Sequence, residues 1–205
     1  MQNNSGRAVF LEKDGTLIEN LPYNADPEKI RLSPGAGRAL HQLQRLGYTL
    51  FVVSNQSGIG RGLFDESALD AVYARLRHLL EVCDVRLKGF YYCPHWLHSM
   101  KARYAYLCQC RKPAPGLLLQ AASQHGLDLT QCWMIGDILD DVEAGRRAGC
   151  RTVLIDNGYE TEWECSVMRR PHRLAGSLHE AADIISRYDG LHTKISTSDA
   201  DRPNS

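Results

Sequence analysis

The sequence has no excess of charge of either sign, because 24 Lys and Arg residues balance 24 Asp and Glu residues in a chain of 205. This balance gives no electrostatic indication of binding to nucleic acid or to an acidic membrane. No apolar run approaches the roughly 20 residues that a membrane-spanning helix requires. The opening residues MQNNSGR lead directly into an apolar stretch, so we expect no signal peptide and a cytoplasmic location.

Cysteine is present in an odd number, seven, which disfavours a secreted framework of paired disulfides. Hydrophobic residues make up 43% and charged residues 23%, an ordinary globular composition. A single domain is therefore expected over residues 1–189. Residues 190–205 are rich in Ser, Thr, Asp and Pro without an apolar face, and we predict that they are disordered.

Apolar runs of strand length alternate with helical segments along the chain. Strands are predicted at 8–11, 48–53, 90–92, 132–136 and 151–155, and helices at 35–47, after an N-cap at Asp65, and at 115–126, 141–148 and 177–188. The alternation predicts an α/β fold with a central parallel sheet, helices on both faces and right-handed crossovers.

Four polar segments follow predicted strands or precede predicted helices. They are Glu12 with Asp14, SNQSGIGRG (54–62), CRKPAPG (110–116) and GDILDD (136–141). Ligand sites in such sheets lie beyond the carboxyl ends of the strands, so we expect these segments to meet there. Acids after strands can simply cap turns, and that interpretation would suffice for a single Asp-Gly-Thr. Four segments in matching places favour an active site.

The residue types in these segments suit phosphoryl chemistry. The carboxylates of Glu12, Asp14 and Asp137 are hard oxygen donors appropriate to Mg²⁺. The Ser54 hydroxyl and the Lys112 ammonium can hold phosphoryl oxygens. A cation, a hydroxyl and an ammonium together stabilise an anionic transition state. One carboxylate can attack phosphorus while Asp14 protonates the leaving oxygen and later activates water.

Three cysteines and one histidine form two pairs with one residue between their members: Cys93, His95, Cys108 and Cys110. Such a set makes a closed tetrahedral Zn²⁺ site without a position for reacting water, so a structural role is predicted, holding the loop 96–107. Buried free thiols are the alternative, but the complete quartet favours zinc. The remaining cysteines are expected in the core: Cys83, Cys132, Cys150 and Cys165.

The loop between the two pairs is basic and aromatic. It contains Trp96, His98, Lys101, Arg103, Tyr104 and Tyr106, and Arg111 and Lys112 follow shortly after it. These side chains could bind a second phosphate of an anionic substrate, or they could form a solvated face with snorkelling cations. Arg111 is the better candidate for phosphate binding because it is anchored beside Cys110.

The motifs LEKDGT, SNQ, RKP and GDILDD resemble the four motifs of the haloacid dehalogenase (HAD) superfamily of aspartyl-phosphate phosphatases. The segments LPYNADPEKIRLSPG, SNQSGIGRG, YYCPH and CQCRKPAPG are similar to its subfamily that acts on heptose bisphosphates. The resemblance spans about residues 8 to 160. It implies a three-layer Rossmann-like fold with a minimal cap, Mg²⁺ dependence, and hydrolysis of a sugar phosphate in nucleotide-heptose synthesis.

The resemblance also implies roles for individual positions. Glu12 stands at the position of the nucleophile and Asp14 at that of the acid/base. Asp137 is the remaining Mg²⁺ carboxylate, and Ser54 and Lys112 hold the phosphoryl group. The residues implied to line the sugar are Asn20, Leu21, Pro22, Tyr23, Asn55, Gln56, Ser57 and Arg111.

Two positions depart from the family pattern. Glu12 replaces an aspartate, and Ile138 occupies a position that is often polar or basic. Three hypotheses follow: a heptose-bisphosphate phosphatase with a weakened nucleophile, a phosphate-binding pseudoenzyme, or a related phosphatase with another substrate such as histidinol phosphate. Persistence of the other site residues disfavours the pseudoenzyme, and SGIGRG favours heptose over histidinol phosphate. A monomer that binds a small sugar phosphate is expected.

Overall fold

The protein is described by a computed structural model that covers residues 6–164 and 166–200, with side chains described as far as residue 189. Its centre is a sheet of six strands: β1 (Ala8–Leu11), β2 (Thr49–Asn55), β3 (Leu87–Cys93), β4 (Trp133–Gly136), β5 (Arg151–Ile155) and β6 (Arg173–Ala175). The strand order is β3-β2-β1-β4-β5-β6, and every neighbouring pair is parallel. The predicted α/β architecture is confirmed.

Within residues 6–164 and 166–200, six helices connect or follow the strands: α1 (Ala36–Arg45), α2 (Ser57–Gly60), α3 (Ser67–Glu81), α4 (Gly116–His125), α5 (Leu139–Ala148) and α6 (Leu178–Ala200). Short 3-10 turns lie at Pro27–Lys29, Ala102–Tyr104 and Leu129–Gln131. Among the described residues no separate cap domain interrupts this order, in line with the minimal cap that was expected. No helix in the part of the chain described here is long and apolar enough to cross a bilayer.

Successive residues of β1 face opposite layers, as the pleat of a strand requires. Val9 and Leu11 belong to a hydrophobic cluster with Leu43 of α1, and Phe10 belongs to a second cluster with Leu118 of α4. All four residues of β1 are fully buried. Helices therefore cover both faces of the sheet and make three layers.

The position of β1 explains where the site forms. β1 pairs with β2 on one side and with β4 on the other, so the chain crosses over in opposite directions from this strand. Such a switch in strand order leaves a crevice beyond the carboxyl ends of the strands. Glu12 follows β1 directly and therefore lies at the centre of this edge.

Several element boundaries differ from those predicted. Helix α3 begins at Ser67 with Glu66 at its N-cap position, whereas the Asp65 carboxylate pairs with Lys101 at 3.0 Å; the predicted Asp65 N-cap was wrong. Helix α5 begins at Leu139, two residues before its predicted start. Strand β6 was missed because two of its three residues are exposed, and α2 was missed because it spans four residues.

The last helix continues to Ala200, beyond its predicted end at 188. The side chains of 190–200 and all of 201–205 lie outside the described residues, so a disordered tail and the domain limit at 189 stay predictions. Of the cysteines expected in the core, Cys132 and Cys150 are buried and Cys83 is half-buried. Cys165 lies outside the described residues.

Candidate active site

Glu12 lies where β1 leaves the sheet, and its side chain turns inward. Its backbone N–H donates to the carbonyl of Ile135 in β4 at 3.0 Å, which holds the chain in register one residue beyond the strand. The Ser54 hydroxyl donates to Glu12 Oε1 at 2.6 Å, and the Lys112 ammonium pairs with Oε2. Three residues predicted from separate segments are therefore in direct contact.

Lys112 is almost completely buried, with 1% of its side chain exposed. Its ammonium donates to the carbonyl of Val53 at 3.0 Å and to Asp141 Oδ1 at 2.5 Å, in addition to its pairing with Glu12. The Asn55 amide donates to the carbonyl of Lys112 and accepts from its N–H, each at 3.0 Å. Asn55 thus fastens the lysine segment to the end of β2.

Asp141 is a site residue that the sequence analysis did not identify. Its side chain is fully buried, and one oxygen faces Lys112 while the other accepts from the N–H groups of Asp137 and Ile138 at 3.2 and 3.3 Å. A Cβ at Gly136 would lie 2.2 Å from Asp141 Oδ2, so glycine is required for this approach. The signal was present in GDILDD, where Asp141 stands four residues after Asp137 and was interpreted only as a helix start.

The segments that carry Asp14 and Asp137 approach each other closely at Gly15. Asp14 Oδ2 accepts from the Gln56 amide at 3.2 Å, whereas Oδ1 lies 3.1 Å from the Lys13 ammonium without hydrogen-bond geometry. Thr16 donates to Asp137 Oδ1 at 2.7 Å. Gly15 has φ of 77°, and a Cβ there would lie 2.3 Å from Asp137 Oδ2, so a larger residue would separate the two segments.

The acidic residues have the donor chemistry that a hard divalent cation prefers. Burial, together with the neighbouring Asp141 carboxylate, raises the pKa of Asp137 to about 7. Asp14 Oδ1 is buried and accepts no hydrogen bond among the described residues. Both features fit a cation, but the ligand atoms of Glu12, Asp14 and Asp137 do not all converge within 4.8 Å of one another. Glu12 is instead turned towards Ser54 and Lys112.

The predicted zinc ligands do converge: one ligand atom from each of Cys93, His95, Cys108 and Cys110 lies within 4.8 Å of the others. The sulfur atoms of Cys93 and Cys108 are 3.5 Å apart, and His95 Nδ1 is 3.2 Å from the Cys110 sulfur. Tetrahedral zinc with bonds of about 2.3 Å would separate two sulfurs by about 3.8 Å, so the set is close to the size of a metal site. Hydrogen bonding from Cys93 lowers the pKa of Cys110 to about 5, which favours the thiolate form.

Side-chain contacts hold the loop 96–107 and the end of β3 against the residues just before helix α3. Glu66 accepts hydrogen bonds from the hydroxyls of Tyr92 at 2.6 Å and Tyr104 at 2.5 Å, and these bonds lower the pKa of Glu66. Lys101 pairs with Asp65. The loop is therefore held by side-chain contacts in addition to the Cys/His set, whose structural role stays a prediction.

A cavity of about 220 Å³ opens beside Asp14. It is lined by most of the residues predicted to contact the sugar, together with two others: Asn20, Pro22, Tyr23, Asn55, Gln56, Ser57, Gly58 and Phe64. Leu21 and Arg111 are exposed and do not line it. A larger cavity of about 420 Å³ lies beside the start of β3, at the opposite edge of the sheet from these acids.

Comparison with known proteins identifies the family. The HAD-hydrolase-like family matches residues 109–181. A protein of Photorhabdus laumondii named D-glycero-beta-D-manno-heptose-1,7-bisphosphate 7-phosphatase is 39% identical over 152 residues, which cover 74% of this chain and 81% of the relative. The chain belongs to the HAD phosphatase family. A Haemophilus influenzae member with the same name is 40% identical over 154 residues, covering 74% of this chain and 83% of its own.

Solved structures of HAD phosphatases have the same fold. The D,D-heptose 1,7-bisphosphate phosphatase of B. bronchiseptica, complexed with magnesium and phosphate, aligns with a TM-score of 0.72 and 25% identity over 89% of this chain and 99% of that one. A HAD-like phosphatase of Mesorhizobium loti aligns with a TM-score of 0.75 and 32% identity over 87% of each chain.

Replacement of Asp141 tests its part in holding the buried lysine. Asp141→Asn retains the shape of the side chain but removes the charge that faces Lys112, so the free energy of unfolding should fall by about 1–3 kcal/mol. The matched control is Asp140→Asn, because Asp140 is 31% exposed and pairs with Arg169 nearer the surface, where the loss should stay below about 1 kcal/mol. Denaturant unfolding of the two variants measures both values, and equal losses would contradict the prediction.

Proposed function

We propose that this protein is a Mg²⁺-dependent phosphatase that removes the 7-phosphate from D-glycero-D-manno-heptose 1,7-bisphosphate. The observation that carries the proposal is the direct contact of Glu12 with Ser54 and Lys112 at the end of β1, with Asp14 two residues further along. The relatives with the heptose-phosphatase name, at 36–40% identity, support the choice of substrate.

The chemistry proceeds through a covalent phosphoryl group on Glu12. Lys112 and Ser54 hold the phosphoryl oxygens while a Glu12 oxygen forms a bond to phosphorus and the bond from phosphorus to the sugar oxygen breaks. Asp14 gives its proton to the leaving sugar oxygen, and then takes a proton from the water that hydrolyses the acyl phosphate. Asp141 acts as a positioning residue, because it orients Lys112 without contacting substrate.

Two metal ions accompany this function. Asp14 and Asp137, joined by Glu12 once its carboxylate turns from Lys112, would hold Mg²⁺, which supplies positive charge to offset the negative charge of the phosphoryl group. The cluster of Cys93, His95, Cys108 and Cys110 would hold a structural Zn²⁺. Reduced thiols are stable in the cytoplasm, which is the location we propose for the enzyme, acting as a monomer.

The substrate proposal is tested by measuring phosphate release from a panel of sugar phosphates and histidinol phosphate, with and without Mg²⁺. We expect Mg²⁺-dependent release of one phosphate from the heptose bisphosphate, with the 1-phosphate retained. Preference for histidinol phosphate would identify a different member of the family. Binding without turnover, even after aspartate is restored at position 12, would identify a pseudoenzyme.

The glutamate at position 12 is expected to slow the chemical step. Its additional methylene displaces the carboxylate by roughly 1.5 Å if the backbone is unchanged, and misplacement on the order of 1 Å can cost about 10²-fold in rate. Glu12→Asp should therefore raise kcat by about 10²-fold and change KM only several-fold, because Ser54 and Lys112 are retained. Steady-state kinetics decides the matter, with Glu19→Asp, an exposed position of the same loop, as the control. An unchanged kcat would mean that the backbone has already adjusted to glutamate.

Elemental analysis after extensive dialysis should find one zinc per chain, bound independently of Mg²⁺. Cys108→Ser should lower the Tm, because structural zinc binding is coupled to folding. Cys83→Ser, at a half-buried cysteine outside the cluster, should lower it less. Fully folded protein that contains no metal would contradict this prediction.

A further inference from the structure

Residues 157–160, near the start of the connection between β5 and β6, lie against the turn that contains Asp14. The Asn157 side-chain amide donates to the carbonyl of Gly15 at 2.7 Å, and its oxygen accepts from the N–H of Tyr159 at 3.4 Å. Both polar atoms of this amide are therefore used, one to fix the turn of the segment itself and one to hold it to the residue after Asp14.

The other end of the segment is held to the start of helix α5. Glu160 Oε2 accepts from the N–H of Leu139, two residues after Asp137, at 2.6 Å. The N-cap position of this helix is occupied by Ile138, whose side chain has no acceptor for the first N–H groups. Glu160 therefore supplies, from another part of the chain, the acceptor that the helix lacks at its own N-cap.

The middle of the segment lies where the two acidic segments meet. A Cβ at Gly15 would lie 2.9 Å from Cδ2 of the Tyr159 ring and 2.3 Å from Oδ2 of Asp137. The ring, the backbone next to Asp14 and the Asp137 carboxylate therefore approach one point. Residues 157–160 thus contact both segments that carry the proposed Mg²⁺ ligands, with one hydrogen bond at each end.

Glu160 is suited to hold backbone in place. Burial raises its pKa, but hydrogen bonds from backbone N–H groups, that of Leu139 first, outweigh this effect and lower the pKa below its ordinary value. Its second oxygen, Oε1, accepts from the N–H of Glu162 at 2.9 Å. A carboxylate at the N-terminus of a helix is further stabilised by the helix dipole. Both oxygens thus accept backbone hydrogen bonds, as a positioning residue requires.

We propose that residues 157–160 form a bridge that sets the separation between Asp14 and Asp137, and thereby the affinity of the site for Mg²⁺, with Asn157 and Glu160 as positioning residues. This inference rests on the proposed function, in which Asp14 and Asp137 hold the cation. Two carboxylates repel each other while no cation lies between them. A bridge that restrains their backbones reduces the cost of bringing them together when Mg²⁺ binds.

An alternative role for these contacts is simply to fasten the connection between β5 and β6 to the protein. Arg169, later in the same connection, distinguishes the two roles. Its guanidinium pairs with Asp140 at 2.7 Å and with Glu143 at 2.8 Å. Both partners belong to α5 and neither belongs to the segment of Asp14. Loss of Arg169 should therefore loosen the connection without cutting the bridge.

The test titrates the full, substrate-free protein with Mg²⁺ alone, by isothermal titration calorimetry. Asn157→Ala and Glu160→Ala each remove one end of the bridge, so each should raise the Kd for Mg²⁺ about 10-fold. The double variant should also show a rise of about 10-fold instead of about 100-fold, because a bridge cut at one end has little left to lose at the other.

Three further variants serve as controls. Glu160→Gln retains an oxygen that can accept from Leu139, so its Kd should stay within about 3-fold of wild type. Glu162→Gln removes an exposed negative charge from the same connection and should leave Kd unchanged. Arg169→Gln should lower the Tm and change Kd less than about 2-fold. The Tm of every variant without added Mg²⁺ shows whether it is folded.

The outcomes separate this inference from the proposed function. If wild type binds no Mg²⁺, the proposed function fails and the inference fails with it. If wild type binds Mg²⁺ and the two alanine variants bind it as tightly, only the inference is overturned. Multiplicative effects in the double variant would show two independent contacts, and an equal rise in Kd for Arg169→Gln would show general loosening; either result also overturns the bridge.

Discussion

One buried ammonium organises the candidate active site. Lys112 contacts the end of β1 through Glu12, the end of β2 through the carbonyl of Val53, and the first turn of α5 through Asp141. A buried charge is tolerated only when it is paired and hydrogen-bonded, so these three elements must remain together for the fold to keep the lysine. The carboxylates of Glu12 and Asp141 together carry one more negative charge than the Lys112 ammonium balances. A bound cation would neutralise this excess negative charge.

The close approaches around this lysine depend on residues without side chains. At Gly15 and Gly136 a single added carbon would collide with a carboxylate, Asp137 in the first case and Asp141 in the second. The close packing of the site therefore depends on these two glycines as well as on the attraction between its charged groups. Replacement of Gly15 would displace the Asp137 carboxylate, and replacement of Gly136 would displace the Asp141 carboxylate that contacts Lys112.

The sheet and the gathering of four segments could be predicted from the sequence because both follow from local pattern. The apolar run before Glu12 specifies a buried strand, and parallel strands bring their carboxyl ends to one edge. The candidate zinc ligands could also be identified from the sequence, because they form two pairs with the same spacing. What these groups bind stays a prediction from their residue types.

Contacts that join distant segments could not be predicted in this way. Asp141 is one of two adjacent aspartates, and only the three-dimensional packing distinguishes it, fully buried, from Asp140 near the surface. The pairing of Asp65 with Lys101 in place of a helix cap likewise depends on where the loop 96–107 lies. Strand β6 has too few buried residues to produce a pattern. The burial of Asp141 and the pairing of Asp65 depend on residues far away in the chain.

The end of β3 links two parts of the molecule that have different chemistry. Cys93 pairs with Asn55 in the sheet, and its carbonyl accepts from the N–H of Gln56 at 2.8 Å. Gln56 in turn donates to Ser54 and to Asp14. The Cys/His cluster is thus linked to Ser54 and Asp14 by one backbone hydrogen bond and the amide side chain of Gln56. If this cluster holds a metal ion as proposed, removal of that ion would act on Ser54 and Asp14 through the position of Gln56, without the ion touching either residue.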